Sequence, residues 1–343
     1  MRPAWLVPSV RGTAVLTVPL LVLALVANAV ATPAELRVVV NFFVALVLVL
    51  SIQSFSGNSG IVSFGHVAFM GVGAYTAALL TIPPAIKHFI LPELPSVIAH
   101  AHVGFLQAVL ISTVVGAFVA AVIGVPLTRM QEGAMAMATI GVLVIFFVVF
   151  DNWDVVTRGS TGVFGIPRNT SLLSAVILSL IAIFVCRVFR ESNAGLKLRA
   201  SRADPVAAEA LGANVVHLRY VAWVLSGAIM GMGGAIWAQY NLAFDPKQFF
   251  FTQTFNLLAM VVVGGLASVS GAVIGAATVT LTTEIMRRIE DSVGVPGLTQ
   301  MAVALLILLI LYRRPDGLVG RSEVDDLIRR RLSQLRPRGA DSL

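Results

Sequence analysis

The side chains able to do chemistry are few and far apart. His66 stands in the stretch SGNSGIVSFGHVAFMGVGAYTAALL, residues 56–80, among glycines, serines and an asparagine. A histidine so placed could move a proton, bind a metal or change charge near neutral pH. Each of those tasks needs a second titratable or ligating group, and none lies close by in the sequence. His88, His100 and His102 fall in 83–102, PPAIKHFILPELPSVIAHAH, at irregular spacing with no Cys or Asp among them. A proline-broken surface loop accounts for them better than a metal site. Asp151 and Asp154 flank Trp153, where polar and aromatic anchors mark a membrane edge. The single cysteine, Cys186, excludes an intrachain disulfide. No H-E-x-x-H, G-x-S-x-G, Walker lysine or carboxylate pair occurs. The sequence therefore predicts no catalytic residue and no metal site.

The elements that would hold these residues are membrane helices. The chain is 57% hydrophobic and 12% charged, with a mean hydropathy of +0.91. Apolar runs near the ~20 residues that cross a bilayer recur along its length. We read spans at 13–31, 36–54, 61–82, 103–127, 134–150, 170–187, 218–240, 252–270, 271–289 and 298–312. The expected fold is all-α, a polytopic bundle of about ten transmembrane helices. Glycine makes the third, eighth and ninth spans candidates for broken or re-entrant segments. Residues 1–312 form the membrane domain, with a cytoplasmic loop at 188–217, and 313–343 a basic cytoplasmic tail with Arg329–Arg331 at the headgroups. The first span leads straight into a second, so it is expected to be a retained helix and not a cleaved leader. With both termini cytoplasmic, seventeen Lys and Arg fall inside and seven outside, as the positive-inside rule requires. That bias also explains a pI near 10.3 without nucleic acid.

Scarcity of charge narrows function. His66 and Glu284 are the only ionisable side chains read as lying well inside a span. Ion-coupled transporters keep charged hosts at mid-membrane, so a secondary transporter is the weaker alternative. Energy could enter through the basic loop 190–220. There Asp204 caps a helix begun by Pro205, and Gly212 with Asn214 ends it. Val206, Ala207, Ala210 and Leu211 form an apolar stripe, with small residues on the exposed face. The helix would dock on a partner or lie on headgroups.

Several segments, in order over roughly residues 35–320, resemble the permeases of branched-chain amino acid importers driven by ATP. They are GNSGIVSFGHVAFMGVGAYTAALL, EGAMAMATIG (132–141), GSTGVFGIP (159–167), GLKLRASRADPVAAEALGANVVHLRYVAWVLSGAIMGMGGAIWA, VVVGGLASVSGAVIGA and the terminal RPDGLVG. Residues 206–212 resemble the EAA loop of such permeases, with Val206 where a Glu would stand. The resemblance implies a multi-pass subunit of the bacterial inner membrane, of the larger of two permease types. It implies a second homologous permease as heterodimer partner, two cytoplasmic ATPase subunits and an extracytoplasmic solute-binding protein. ATP and Mg would be used by the ATPases, with no cofactor in this chain. Arg199, Arg202, Asp204, Pro205, Ala207, Ala208, Glu209, Leu211 and Gly212 would form the ATPase-coupling helix. Gly57, Asn58, Ser59, Gly60, Ser63, Gly65, His66, Phe69, Gly71, Gly73 and Tyr75, with Gly264, Gly265, Ser268 and Gly271, would line the translocation path or pack helices. Phe64, Phe69 and Tyr75 would serve as apolar walls, and His66 would lock a broken helix. Similar architectures also carry other amino acids, urea or short amides, so cargo stays open at this point.

Overall fold

The computed structural model describes residues 6–320 and 322–325. Arg329–Arg331 lie outside the described residues. Fifteen α-helices follow one another among the described residues, joined by short turns. α1 spans Leu6–Val30 and α2 Pro33–Ile52, the second continuing through one π-helical turn at Gln53–Gly57. α3 is His66–Thr81, and the short α4 (Pro84–Ile90) and α5 (Ser96–His100) follow. Then come α6 (Phe105–Leu127), α7 (Glu132–Asn152), α8 (Asp154–Thr157) and α9 (Leu172–Glu191). The basic loop holds α10 (Asn193–Ser201) and α11 (Pro205–Ala210). α12 (Val215–Asn241), α13 (Phe251–Gly264), α14 (Val269–Val293) and α15 (Leu298–Arg313) complete the series.

Seven of these helices are long and apolar enough to cross a membrane, or eight if the bent pair α3–α4, turned by 118°, counts as one span. Every predicted span has a helix, but three are short: α3 and α15 have 16 residues and α13 has 14. The reason is visible locally. The chain from Gly60 to Gly65 is irregular before α3 begins, and α13 stops at Gly264 where Gly265 adopts φ +118. Glycine allows both departures because no Cβ blocks the backbone.

The helix ends sort into two groups. At one end, Arg190 donates to the carbonyl of Ala267, Arg202 covers Gly60, and Arg219 pairs with Glu132 at 2.6 Å. At the other, Tyr240 donates to the carbonyl of Arg37, Val163 and Phe244 exchange backbone bonds, and Thr170 donates to Ile236. Lys87, within the 83–102 stretch expected to be a surface loop, is fully buried and donates to the carbonyls of Ile98 and Ala101.

α12 lies at the centre, packed on α2, α3 and α6. Lipid offers helices no hydrophobic drive to associate, so small residues that let backbones touch do this work. A Cβ at Gly73 would overlap the Gly231 carbonyl, and one at Gly234 the Met70 carbonyl. A Cβ at Gly116 would stand 2.8 Å from the Gly227 carbonyl oxygen. α13 and α14 meet the same way, with Gly264 against Gly271 and Gly275.

The segment after α15 is no separate tail up to residue 325. Leu318 and Val319 donate backbone bonds to Val263 and Gly264 at 2.9 and 3.0 Å. Glu323, 2% exposed, pairs with Arg187 at 3.0 Å and Arg190 at 2.8 Å. It also accepts from the Val269 and Ser270 amides at 2.9 and 3.1 Å, capping α14. Arg187 and Arg190 are buried, their charges neutralised by Glu323.

Candidate functional site

Two glycine-rich breaks share one local plan. In each, a helix stops, a glycine takes positive φ (Gly60 at 81, Gly265 at 118), and a new helix starts within a few residues. The breaks meet: a Cβ on Gly57 would overlap the carbonyl oxygen of Leu266. The π turn Gln53–Gly57 sits at this meeting point, an uncommon geometry that recurs at functional positions.

His66 opens α3, fully buried. Its Nδ1 lies 2.8 Å from Ser63 Oγ and its Nε2 2.9 Å from Ser226 Oγ. The Ser226 hydroxyl donates to the Trp223 carbonyl at 2.8 Å. A hydroxyl has one proton, so Nε2 is the donor to Ser226 and Nδ1 accepts from Ser63. Ser51 adds a bond to the Ser226 carbonyl at 2.7 Å. Phe55, Phe69 and Trp223 surround the ring at centroid distances of 5.7, 6.1 and 5.0 Å. The ring thus ties the break to α12 through two neutral hydrogen bonds.

The neighbouring expected path residues also meet protein. Asn58 Nδ2 donates to the Ser54 carbonyl at 2.8 Å, and Ser59 Oγ accepts from Ile61 at 3.2 Å. Gly65 abuts the Thr139 carbonyl, while Gly71 faces the Phe150 and Phe249 rings. Tyr75 lies towards the other end, in a cluster with Phe150 (4.9 Å), Phe244 (5.0 Å) and Phe249 (5.8 Å). Phe64 is half-buried against Phe255 at 6.4 Å. Ser268 Oγ accepts from the Gly271 amide at 3.1 Å, and Gly265 lies against Asp316 and Gly320. His66 and the Gly264–Gly271 break therefore converge near Gly57, whereas Tyr75 belongs to a separate aromatic cluster.

In the basic loop, Asp204 Oδ1 accepts from the Ala207 amide at 3.0 Å, and Pro205 begins α11 as the sequence predicts. Gly212, at φ +82, ends the turn. The apolar stripe faces outward, not inward: Val206 is 75% and Leu211 89% exposed, while Ala208 alone is buried. Arg199 Nη2 donates to the Arg190 carbonyl at 3.1 Å, fastening α10 to the end of α9. Arg202 lies over Gly60, and Ala207 and Glu209 face outward.

Sequence reasoning missed Gln53, Ser226, Trp223 and Glu323. The Gln53 amide is fully buried, and among the described residues neither its polar ends nor Asn58 Oδ1 has a hydrogen-bond partner. A lone amide inside SIQSFSGN, within an apolar span, is the signal that could have found it. His88 and His100 come within 5.9 Å of each other, yet no group of three metal-ligating side chains exists among the described residues.

A buried polar break and glycine seams among seven or eight helices long and apolar enough to cross a membrane make up a multi-pass membrane protein. The family model described as branched-chain amino acid transport system / permease component matches residues 35–312, and the chain belongs to that family. It is 23% identical to the high-affinity branched-chain amino acid transport system permease protein LivM of Salmonella typhimurium, over 92% of this chain and 78% of that protein. The corresponding LivM of Escherichia coli K12 gives the same identity and coverage. The permease protein LivH of Salmonella typhimurium is 23% identical over 78% of this chain and 89% of its own length. No solved structure matches the chain.

Proposed function

We propose that the chain is the larger permease subunit of an ATP-driven importer of branched-chain amino acids in a bacterial inner membrane. It pairs with a second, homologous permease to form the path. Two cytoplasmic ATPase subunits, which bind ATP and Mg, drive it, and an extracytoplasmic solute-binding protein delivers cargo. The cargo reading rests on the relatives' names. Ten crossings with both termini cytoplasmic are supported by the two-ended sorting of contacts. Residues 57–60, 188–214, 265–268 and 316–325 fall at one end, and 30–37, 158–170 and 237–250 at the other.

The observation that carries the reading is α11. Its Val206 and Leu211 stand exposed on a capped helix in a loop, an arrangement that suits insertion into a partner's groove. Movement of α11 passes to α10, through Arg199 to the end of α9, and through Arg190 to the Ala267 carbonyl. Ala267 adjoins Leu266, whose carbonyl stands against Gly57 at the π turn. ATPase closure thereby reaches the meeting point of the two breaks and switches the path from outward- to inward-facing. Leu211→Asp changes an exposed side chain, and Gly212→Trp strains a positive-φ position, so both leave the bundle core intact. In the reconstituted complex, each is expected to lower substrate-stimulated ATP hydrolysis by roughly tenfold, the effect of losing one interface anchor worth more than 1 kcal/mol. Normal coupling and transport in both variants would sink the assignment.

A further inference from the structure

A cleft lies between α2, α12, α13 and α14, lined by residues that form no part of the two glycine breaks. Its outer part encloses about 510 Å³, and a second chamber of about 400 Å³ continues from it, the two sharing Asn41, Met260 and Thr283. Such volumes suit a small-molecule ligand. The mouth lies at the end where Tyr240 bonds to the Arg37 carbonyl. Arg37 and Asn41 are four residues apart on α2, so they share a face. Thr280, Glu284 and Arg287 share a face of α14 in the same way, and both sets line the outer chamber.

The lining carries both signs of charge above an apolar floor. Glu284, with a side chain 15% exposed, is held by Arg287 at 3.0 Å and Arg288 at 2.8 Å. Arg37 makes no ion pair among the described residues. One turn deeper, the Thr280 hydroxyl is buried in a residue 7% exposed and has no hydrogen-bond partner among the described residues. Beyond it Leu48, Leu257 and Val279 line the inner chamber. A surface ladder of Glu284 with Arg287 and Arg288 would need no unpartnered hydroxyl beneath it and no chamber behind it.

We propose that this cleft is the outer reception site for a zwitterion with an apolar body, resting on the reading of the chain as an amino acid permease. Arg37 and Arg287 take the carboxylate, Arg37 through a paired, charge-assisted contact. Glu284 and the Asn41 oxygen take the ammonium. The aliphatic side chain points inward to Leu48 and Val279. Ammonium and anion on a short linker also occur in a phosphatidylethanolamine headgroup, so the test separates the two sources.

The complete importer is reconstituted in vesicles, and leucine uptake is measured with saturating leucine-loaded binding protein. Arg37→Gln and Glu284→Gln are expected to lower uptake roughly ten- to a hundredfold, the loss of one hydrogen-bonded charge contact. Both variants are expected to assemble with the partner subunits in wild-type yield and to melt like wild type, which a merely misfolded variant would not show. Cys186 is buried, so Thr283→Cys gives this chain one accessible thiol, and its alkylation is read on this subunit. Leucine-loaded binding protein is expected to slow its alkylation more than the empty binding protein does. Wild-type uptake in both charge variants, with no leucine-dependent protection, overturns the site. Protection that follows phosphatidylethanolamine content and not leucine assigns the cleft to lipid and also overturns it. If the wild-type complex carries no leucine while hydrolysis is stimulated by another solute, the cargo reading fails and this site falls with it.

Discussion

Glu323→Gln strips the charge from the carboxylate that joins the segment after α15 to α9 and α14. In the native protein two guanidinium groups lie within 3.0 Å of it, and its side chain is 2% exposed. Removing one partner of a buried ion pair costs about 3–5 kcal/mol, because the remaining charge stays desolvated. The glutamine keeps one acceptor oxygen for the Val269 or Ser270 amide, which points to the lower end, about 3 kcal/mol. That is a loss of roughly a hundredfold in the local closing equilibrium. Hydrogen exchange reads it directly at four amides: Val269 and Ser270, which donate to Glu323, and Leu318 and Val319, which pair with Val263 and Gly264. Asp325→Asn serves as the control, since Asp325 bonds Arg187 from a position 25% exposed and is worth less than about 1 kcal/mol. Protection within about twofold of wild type at all four amides, the span of a neutral surface change, would refute the reasoning. Acidity gives a second arm. Burial pushes the Glu323 carboxyl up, but the Arg190 and Arg187 guanidiniums and the bonds from Ser270 and Val269 hold it below the usual carboxylate range. A lowered value means the stabilisation is complete above the ordinary carboxylate pKa of about 4.3 and is lost as pH falls through the lower, folded value. Wild-type protection is therefore expected to be flat from neutral to mildly acid pH and to fall only in stronger acid, whereas Glu323→Gln shows no such fall.

Two further substitutions test the glycine breaks. His66→Ala leaves the Ser63 and Ser226 hydroxyls without the ring and opens a void among Phe55, Phe69 and Trp223. It should cost about 3 kcal/mol or more in thermal unfolding of the purified protein, with partial rescue by His66→Gln. Unchanged stability with lost transport would instead make His66 a solute-facing group. Gly73→Leu drives a side chain into the Gly231 backbone and should destabilise by about 1–3 kcal/mol or more. Gly141→Leu, where an added Cβ meets nothing within 4 Å, should melt like wild type; equal melting of both variants would contradict the close approach of α3 and α12.

Hydropathy located the seven or eight helices long and apolar enough to cross a membrane because burial in lipid demands long apolar helices, and the Asp204–Pro205 start was legible because a cap is a local pattern. The shortness of α3 and α13 was only partly legible: glycine permits a break, but tertiary contacts decide where it falls. The outward face of Val206 and Leu211 could not be read, since the periodicity of a six-residue helix does not say which side packs on the rest of the chain. The burial of Arg187 and Arg190 was not legible either, since it depends on the distant Glu323. The Arg37–Glu284 cleft was invisible for the same reason, as its walls come from residues more than two hundred positions apart.

The glycine seams carry a thermodynamic consequence that differs from the one familiar in water. A glycine inside a soluble helix costs about 0.5–1 kcal/mol relative to alanine, because the unfolded chain it must order is unusually free. In a bilayer the separated helices remain helical, since unpaired backbone groups cannot be left in hydrocarbon. The freedom that glycine would regain on unfolding is therefore absent from the dissociated state. Gly73, Gly231, Gly234 and Gly264 also have no rotamers to freeze when the helices meet. The entropy that makes glycine a weak helix residue in solution thus drops out of the balance, and the close approach of the backbones remains as gain.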